Sequence, residues 1–146
     1  MLQTGNSVVT DTLDADQFLA EVVYLFHVMH FEISREHSSF ALPEEQRLSL
    51  SIYGLDKPEA INIQAVLNTA RTTVEDHELK KRLCAALKSV SKDVTEISKV
   101  VVGVCLPLSL SGHSGIPLNP LLYAGIAMVI FSAGVSALCP EVEIKK

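Results

Sequence analysis

A stretch of 41 residues without Asp, Glu, Lys or Arg lies between Lys99 and Glu141. Such a stretch must form the interior of a folded domain or enter a membrane, because both environments disfavour unpaired charge. The chain has 146 residues, which is enough for one domain with a substantial core. The nature of this charge-free block therefore decides most of what the sequence predicts about fold and function.

Acidic and basic side chains are concentrated in different parts of the sequence. Residues 1–79 contain 13 acidic and 4 basic side chains, whereas residues 80–99 contain 6 basic and 2 acidic ones. A basic segment beside an apolar one is typical of the cytoplasmic flank of a membrane helix. The acidic surplus argues against nucleic acid as a partner, because phosphate binding needs a basic surface. The predicted membrane-flanking cations are Lys88, Lys92, Lys99, Lys145 and Lys146.

The first half of the chain has the apolar spacing of helices. Asp14 and Gln17 have the spacing of a capping box, and an apolar stripe follows at helical intervals. We expect this first helix to be the central element of the bundle. A short helix is predicted over 43–54, and a further helix after Asp56. The first helix has two stripes, Phe18, Val22, Leu25 and Met29 on one face and Leu19, Val23, Phe26 and Ile33 on another. The later helix has one stripe, which consists of Ile63, Leu67, Ala70 and Val74.

The most regular apolar pattern runs from Leu79 to Val101 with heptad-like spacing, which predicts one continuous helix. Repeats of this length can join helices of different chains. One interpretation is therefore a self-association seam, and the alternative is one helix of an intramolecular bundle. The seam residues are Leu83, Leu87, Val90, Val94 and Ile97.

Two helical arms are predicted within the charge-free block. The first continues to about Leu106, where Pro107 kinks or ends it. A turn-rich connector follows, and a second arm runs from Pro120 to Leu138. That arm would be about 28 Å long, close to the roughly 30 Å of a bilayer core. One interpretation is a hairpin inserted from the cytosol, with a re-entrant first arm followed by one full span as its variant. The alternatives are a hairpin buried in a soluble bundle until a trigger causes it to insert, and a hairpin that is permanently the core of a soluble domain.

The second arm carries small residues at spacings that let helices approach closely in lipid. The predicted membrane helix packing residues are Gly125, Ser132, Ala133, Ser136 and Ala137.

Few side chains in the sequence are candidates for catalysis or metal binding. We expect Cys84, Cys105 and Cys139 to be small buried thiols of a reducing compartment. The N-terminal sequence lacks the features of a signal peptide, which predicts a start in the cytosol. His27 and His30 share a helix face, but no further ligand completes a metal site at a known spacing. No catalytic residue, metal or cofactor is therefore predicted.

These patterns predict an all-α fold, with a bundle of about four helices continuous with a C-terminal apolar hairpin. The expected parts are a cytosolic helical domain over 1–99, the apolar block over 100–140 and a polar tail over 141–146. The favoured function is a small non-enzymatic protein that self-assembles at the cell membrane, such as a bacterial pore-forming or membrane-perturbing effector of toxin or phage-defence type. Its acidic bundle would receive a protein partner. The alternatives are a soluble helical adaptor whose last helix is its core, and an enzyme that uses the face of His27 and His30.

Overall fold

The computed structural model describes residues 14–44, 60–88, 90, 93–112 and 116–139. These residues are mostly helical, which confirms the all-α prediction. Two short strands, β1 (Ser39–Phe40) and β2 (Ile61–Asn62), pair antiparallel with Ser39 opposite Asn62. The helices are α1 (Ala15–Ser34), α2 (Ile63–Thr73), α3 (His77–Leu87), α4 (Val94–Leu110), α5 (Pro120–Ala133) and α6 (Val135–Leu138).

Two of the predicted helix starts are confirmed by their caps. The Asp14 carboxylate accepts hydrogen bonds from the backbone N–H groups of Asp16 and Gln17, at 2.9 and 3.4 Å. Pro120 occupies the first turn of α5, where its missing N–H costs nothing. The helix predicted after Asp56 instead begins at Ile63 with Asn62 as its cap. Asp56 and most of the helix predicted over 43–54 lie outside the described residues.

Helix α5 is the central element of the fold. It packs against α1, α2 and α4, and every residue from Leu122 to Met128 is buried. Tyr123 meets the ring of Phe18 edge-on at 5.0 Å between ring centroids. The first stripe of α1 and the stripe of α2 face the core, since all eight of their residues are buried, whereas the second stripe of α1 includes Ile33, which is 39% exposed.

The expectation that the first helix would be central is wrong. One side of α1 faces outward within the described part of the chain, because Tyr24 is 39% and Phe31 55% exposed.

The continuous helix predicted from Leu79 to Val101 is interrupted. Helix α3 ends at Leu87, and α4 starts at Val94 with Asp93 as its cap. The seam residues nevertheless point into the same core: Leu83, Leu87 and Ile97 are 0–1% exposed, and Val90 and Val94 pack partly buried beside them. This placement favours the interpretation of intramolecular bundle helices over a seam between chains.

Helix α4 is longer than predicted, because it continues through Pro107 to Leu110. Proline removes the hydrogen bond to the carbonyl four residues earlier, which belongs to Gly103. Gly103 is exposed, so water can satisfy that carbonyl. The same helix runs without a break across residues 99 and 100, where the predicted helical domain was expected to meet the apolar block.

The predicted arm from Pro120 to Leu138 is also divided. Gly134 has φ +91° and ψ 155°, and glycine adopts positive φ without the steric cost that other residues bear. It leaves α5 with 14 residues and α6 with four. Across the described ranges, none of the helices combines the length and the hydropathy needed to cross a bilayer.

Candidate functional site

A close contact between two core helices lies at Gly125. A Cβ atom on this glycine would stand 2.9 Å from Val66 Cγ1 and 3.3 Å from Ala70 Cβ. The missing side chain therefore allows α2 and α5 to approach each other. Gly125 is one of the residues predicted to pack membrane helices, and the structure places it against a helix of its own chain.

Further along α5 the same two helices enclose an open groove of about 190 Å³. Its walls are mostly apolar, and two small exposed residues, Ser132 and Ala133, lie at one end. Here α5, buried over Leu122–Met128, reaches the surface. The groove residues are Leu67, Arg71, Met128, Val129, Ser132 and Ala133.

One cation borders the groove. The Arg71 Nη1 atom donates a hydrogen bond to Asn68 Oδ1 at 3.0 Å. Glu75 follows four residues later at the end of α2, and both Arg71 and Glu75 are exposed. Within the described ranges neither residue forms an ion pair. The groove therefore combines mostly apolar walls with one positive side chain, that of Arg71.

The other predicted helix-packing residues do not share this site. Gly134 separates the groove from α6, where Ala137 is exposed, and the side chain of Ser136 lies outside the description. Among the described side chains of this set, Gly125 faces α2 and Ala137 lies on α6, while Ser132 and Ala133 meet in the groove.

The predicted membrane-flanking cations are also dispersed. Lys88 is exposed at the end of α3. Lys99 lies on α4, 3.8 Å from the carboxylate of Glu96, so its charge is partly compensated. Lys92, Lys145 and Lys146 lie outside the described residues.

Cysteine usage differs from the prediction. Cys84 on α3 forms a disulfide with Cys139, which directly follows α6, and their Cα atoms are 5.6 Å apart. The expectation of three reduced thiols is therefore corrected for this pair. Only Cys105 is a free thiol, and it is buried.

Burial favours the neutral forms of two side chains, Tyr123 on α5 and Cys105 on α4. The Tyr123 hydroxyl contacts Ser109 Oγ at 2.5 Å, and Ser109 Oγ donates to the Ile116 carbonyl at 2.8 Å. Burial raises the pKa of Tyr123, although the hydrogen bond with Ser109 opposes this shift. Burial also raises the pKa of the Cys105 thiol to about 12. Because the thiolate is the reactive form of cysteine, Cys105 has the character of a core residue.

The histidines of α1 interact with aromatic rings. His30 stacks on Phe26 and meets Phe131 edge-on, at centroid distances of 5.9 and 5.8 Å. The His27 ring lies edge-on to Phe26 at 5.8 Å. Among the described residues, no three His, Cys, Asp or Glu side chains are grouped as metal binding would need.

Comparison of the chain with protein-family models, with curated proteins and with solved structures finds no match. Its function must therefore be argued from the groove and the disulfide themselves.

Proposed function

We propose that this protein is a non-enzymatic helical interaction protein that self-associates through the groove between α2 and α5. The observation that carries the proposal is the exposure of Ser132 and Ala133 at the end of a helix that is otherwise buried. Small side chains there permit close approach of another surface. The half-buried Val129 beside them supplies apolar area that association would remove from water.

The occupant that best fits this patch is a second copy of the chain. A two-fold symmetric interface uses the same patch on both subunits, so the patch must complement itself. Arg71 lines the groove, and Glu75, four residues later and just beyond the end of α2, is exposed and of opposite charge. Across a two-fold axis, Arg71 of one copy would face Glu75 of the other. An adaptor or effector that works as a dimer is thus consistent with this surface.

Charge reversal tests the pairing. We expect the wild-type chain to show a concentration-dependent mass of two copies by light scattering. Arg71→Glu or Glu75→Arg alone should raise the dissociation constant roughly tenfold, because each places like charges opposite one another. The double variant Arg71→Glu/Glu75→Arg should restore association. Lys81→Glu, at an exposed position on α3, serves as the control and should leave the mass unchanged.

Filling the groove gives an independent test. Ala133→Leu adds bulk at an exposed position, so the fold should tolerate it while the partner surface is excluded. A wild-type chain that stays monomeric at several hundred micromolar would refute self-association. A dimer that survives both Ala133→Leu and the single charge reversals would show that another surface is used.

A second candidate is a membrane-associated effector that forms a pore or perturbs the bilayer. This candidate is favoured because α5, a helix without charged residues, packs between α1, α2 and α4. Release of α5 from these helices would present an apolar surface to lipid. In this case the full chain should float with anionic vesicles and release an entrapped dye. Intact vesicles and a chain left in the aqueous fraction would reject this candidate without affecting the first.

A further inference from the structure

The two cysteines of the Cys84–Cys139 disulfide differ in exposure. Cys139 is 0% exposed, whereas Cys84 is only partly buried on the surface of α3. Thiol–disulfide exchange requires a thiolate to reach one of the two sulfurs. Access therefore directs an incoming thiol to Cys84 and makes Cys139 the leaving group.

Several side chains close to Cys84 in the sequence of α3 are basic. Lys80 and Lys88 lie four residues before and after it, one helical turn away on either side. Lys81 is exposed three residues before it. The neighbouring carboxylate on this helix, Glu78, is paired with Arg82. A negatively charged thiol is therefore attracted to Cys84 more strongly than a neutral one.

The bond also holds a specific segment of the chain. It joins α3 to the residue after α6, and α6 itself contacts both α3 and α5. Gly134, with its positive φ, separates α6 from the end of α5. Opening of the disulfide would leave the segment 135–139 attached to the core only by noncovalent contacts and by this glycine.

From these observations we infer that Cys84 is a thiol-exchange site for small anionic thiols, and that reduction there releases the segment 135–139. The attacking thiolate forms a mixed disulfide with Cys84 Sγ, and Cys139 leaves as a thiolate that takes a proton from solvent. A second thiol then attacks the mixed disulfide. The products are two protein thiols and the oxidised form of the reductant, so two thiols are consumed for each bond. The inference is independent of the groove between α2 and α5.

Reduction rates of the oxidised full-length chain test the first part. Glutathione serves as the anionic thiol and 2-mercaptoethanol as the neutral one, with rates normalised to thiolate concentration. We expect Lys80→Gln/Lys88→Gln to slow glutathione roughly two- to fivefold and 2-mercaptoethanol by a smaller factor, because both attack as thiolates but the glutathione thiolate carries one more net negative charge. Lys99→Gln on α4 is the control. Equal effects on both thiols, or no effect, would overturn the role of the lysines.

Two further measurements test the site and its consequence. Mass mapping of the trapped intermediate should place glutathione on Cys84, and an adduct on Cys139 would contradict the direction of attack. Hydrogen exchange should rise in 135–139 on reduction while residues 122–128 of α5 stay protected. Unchanged exchange in 135–139, or a bond that reacts only in denaturant, would reject release of the segment.

Discussion

Two glycines in long helices have opposite surroundings. Gly125 in α5 faces Val66 and Ala70 of α2, whereas a Cβ on Gly103 in α4 would meet nothing within 4 Å. Alanine in place of an exposed helical glycine stabilises a helix by roughly 1 kcal/mol. Added bulk in a tight core costs roughly 1–3 kcal/mol, and Val66 has little rotamer freedom to move aside.

We therefore expect Gly103→Ala to raise the free energy of unfolding by up to about 1 kcal/mol, and Gly125→Ala to lower it by about 1–2 kcal/mol. Urea denaturation of the two variants measures the difference directly. Equal stabilisation by both would show that α2 and α5 can separate at Gly125 without cost.

Burial of Cys105 makes stability depend on alkaline pH. Its pKa is raised from 9.0 to about 12 in the folded chain, so the folded state keeps its proton where the unfolded state loses it. The contribution is fully present below pH 9 and is lost as pH rises toward 12. From pH 8 to pH 10 it should lower the free energy of unfolding by about 1.4 kcal/mol.

Urea unfolding of wild type and Cys105→Ala at these two pH values isolates this contribution, because other titrating groups are common to both chains. The decline with pH should be smaller in the variant by about 1.4 kcal/mol. Identical declines would mean that the thiol is accessible in the folded state.

At the residue scale, the predicted small-residue positions include one close helix contact, at Gly125, but the sequence did not predict its partner. Gly125 does allow a close helix approach, yet it faces α2 of the same chain. Arg71 was missed as a groove residue, because its role depends on the position of α5, which is 49 or more residues later in the sequence. Nothing in the local pattern of α2 carries that information.

At the element scale, the break between α3 and α4 left the apolar stripe in phase. Both helices turn their leucines and isoleucines toward one core, so Leu83, Leu87 and Ile97 keep helical spacing across the interruption. A signal of the new helix was present, because Asp93 and Glu96 have capping-box spacing and Asp93 accepts from the Glu96 N–H at 3.0 Å. The prediction relied on the continuous stripe and did not use this signal.

Leu87→Asp distinguishes a core position from a contact between chains. Leu87 is 1% exposed, so the variant buries an unpaired carboxylate at a cost of several kcal/mol. We expect loss of helical circular dichroism at room temperature. Ala85→Asp, at an exposed position of the same helix, should remain folded. A folded Leu87→Asp variant that has merely lost its oligomer would restore the self-association seam.

The whole molecule shows how the charge-free block is accommodated. The block predicted the apolar pair α4 and α5 and the turn between them, because composition and proline positions are local properties. Whether lipid or protein would cover α5 could not be read from composition, since both select the same residues. In the folded chain its cover is α1, α2 and α4, whose apolar stripes were recognisable individually. The pairing of Cys84 with Cys139 likewise depends on the assembled fold.

The disulfide joins Cys84 to Cys139, which are 55 residues apart in the sequence, and α4, α5 and α6 lie between them. Closing a loop of this size restricts the unfolded chain and stabilises the folded one by about 4 kcal/mol in the chain-entropy account. Cys84→Ala/Cys139→Ala should therefore stay helical, because the core does not depend on the bond, but unfold with a free energy lower by roughly 3–5 kcal/mol. Its denaturant dependence should also be steeper, since its unfolded chain is less compact.

Guanidinium unfolding followed by circular dichroism gives both quantities, and Cys105→Ala controls for loss of a cysteine alone. Equal stability of the oxidised wild type and the double variant would show that the bond adds nothing to the fold and that the helical packing alone holds the segment after Gly134.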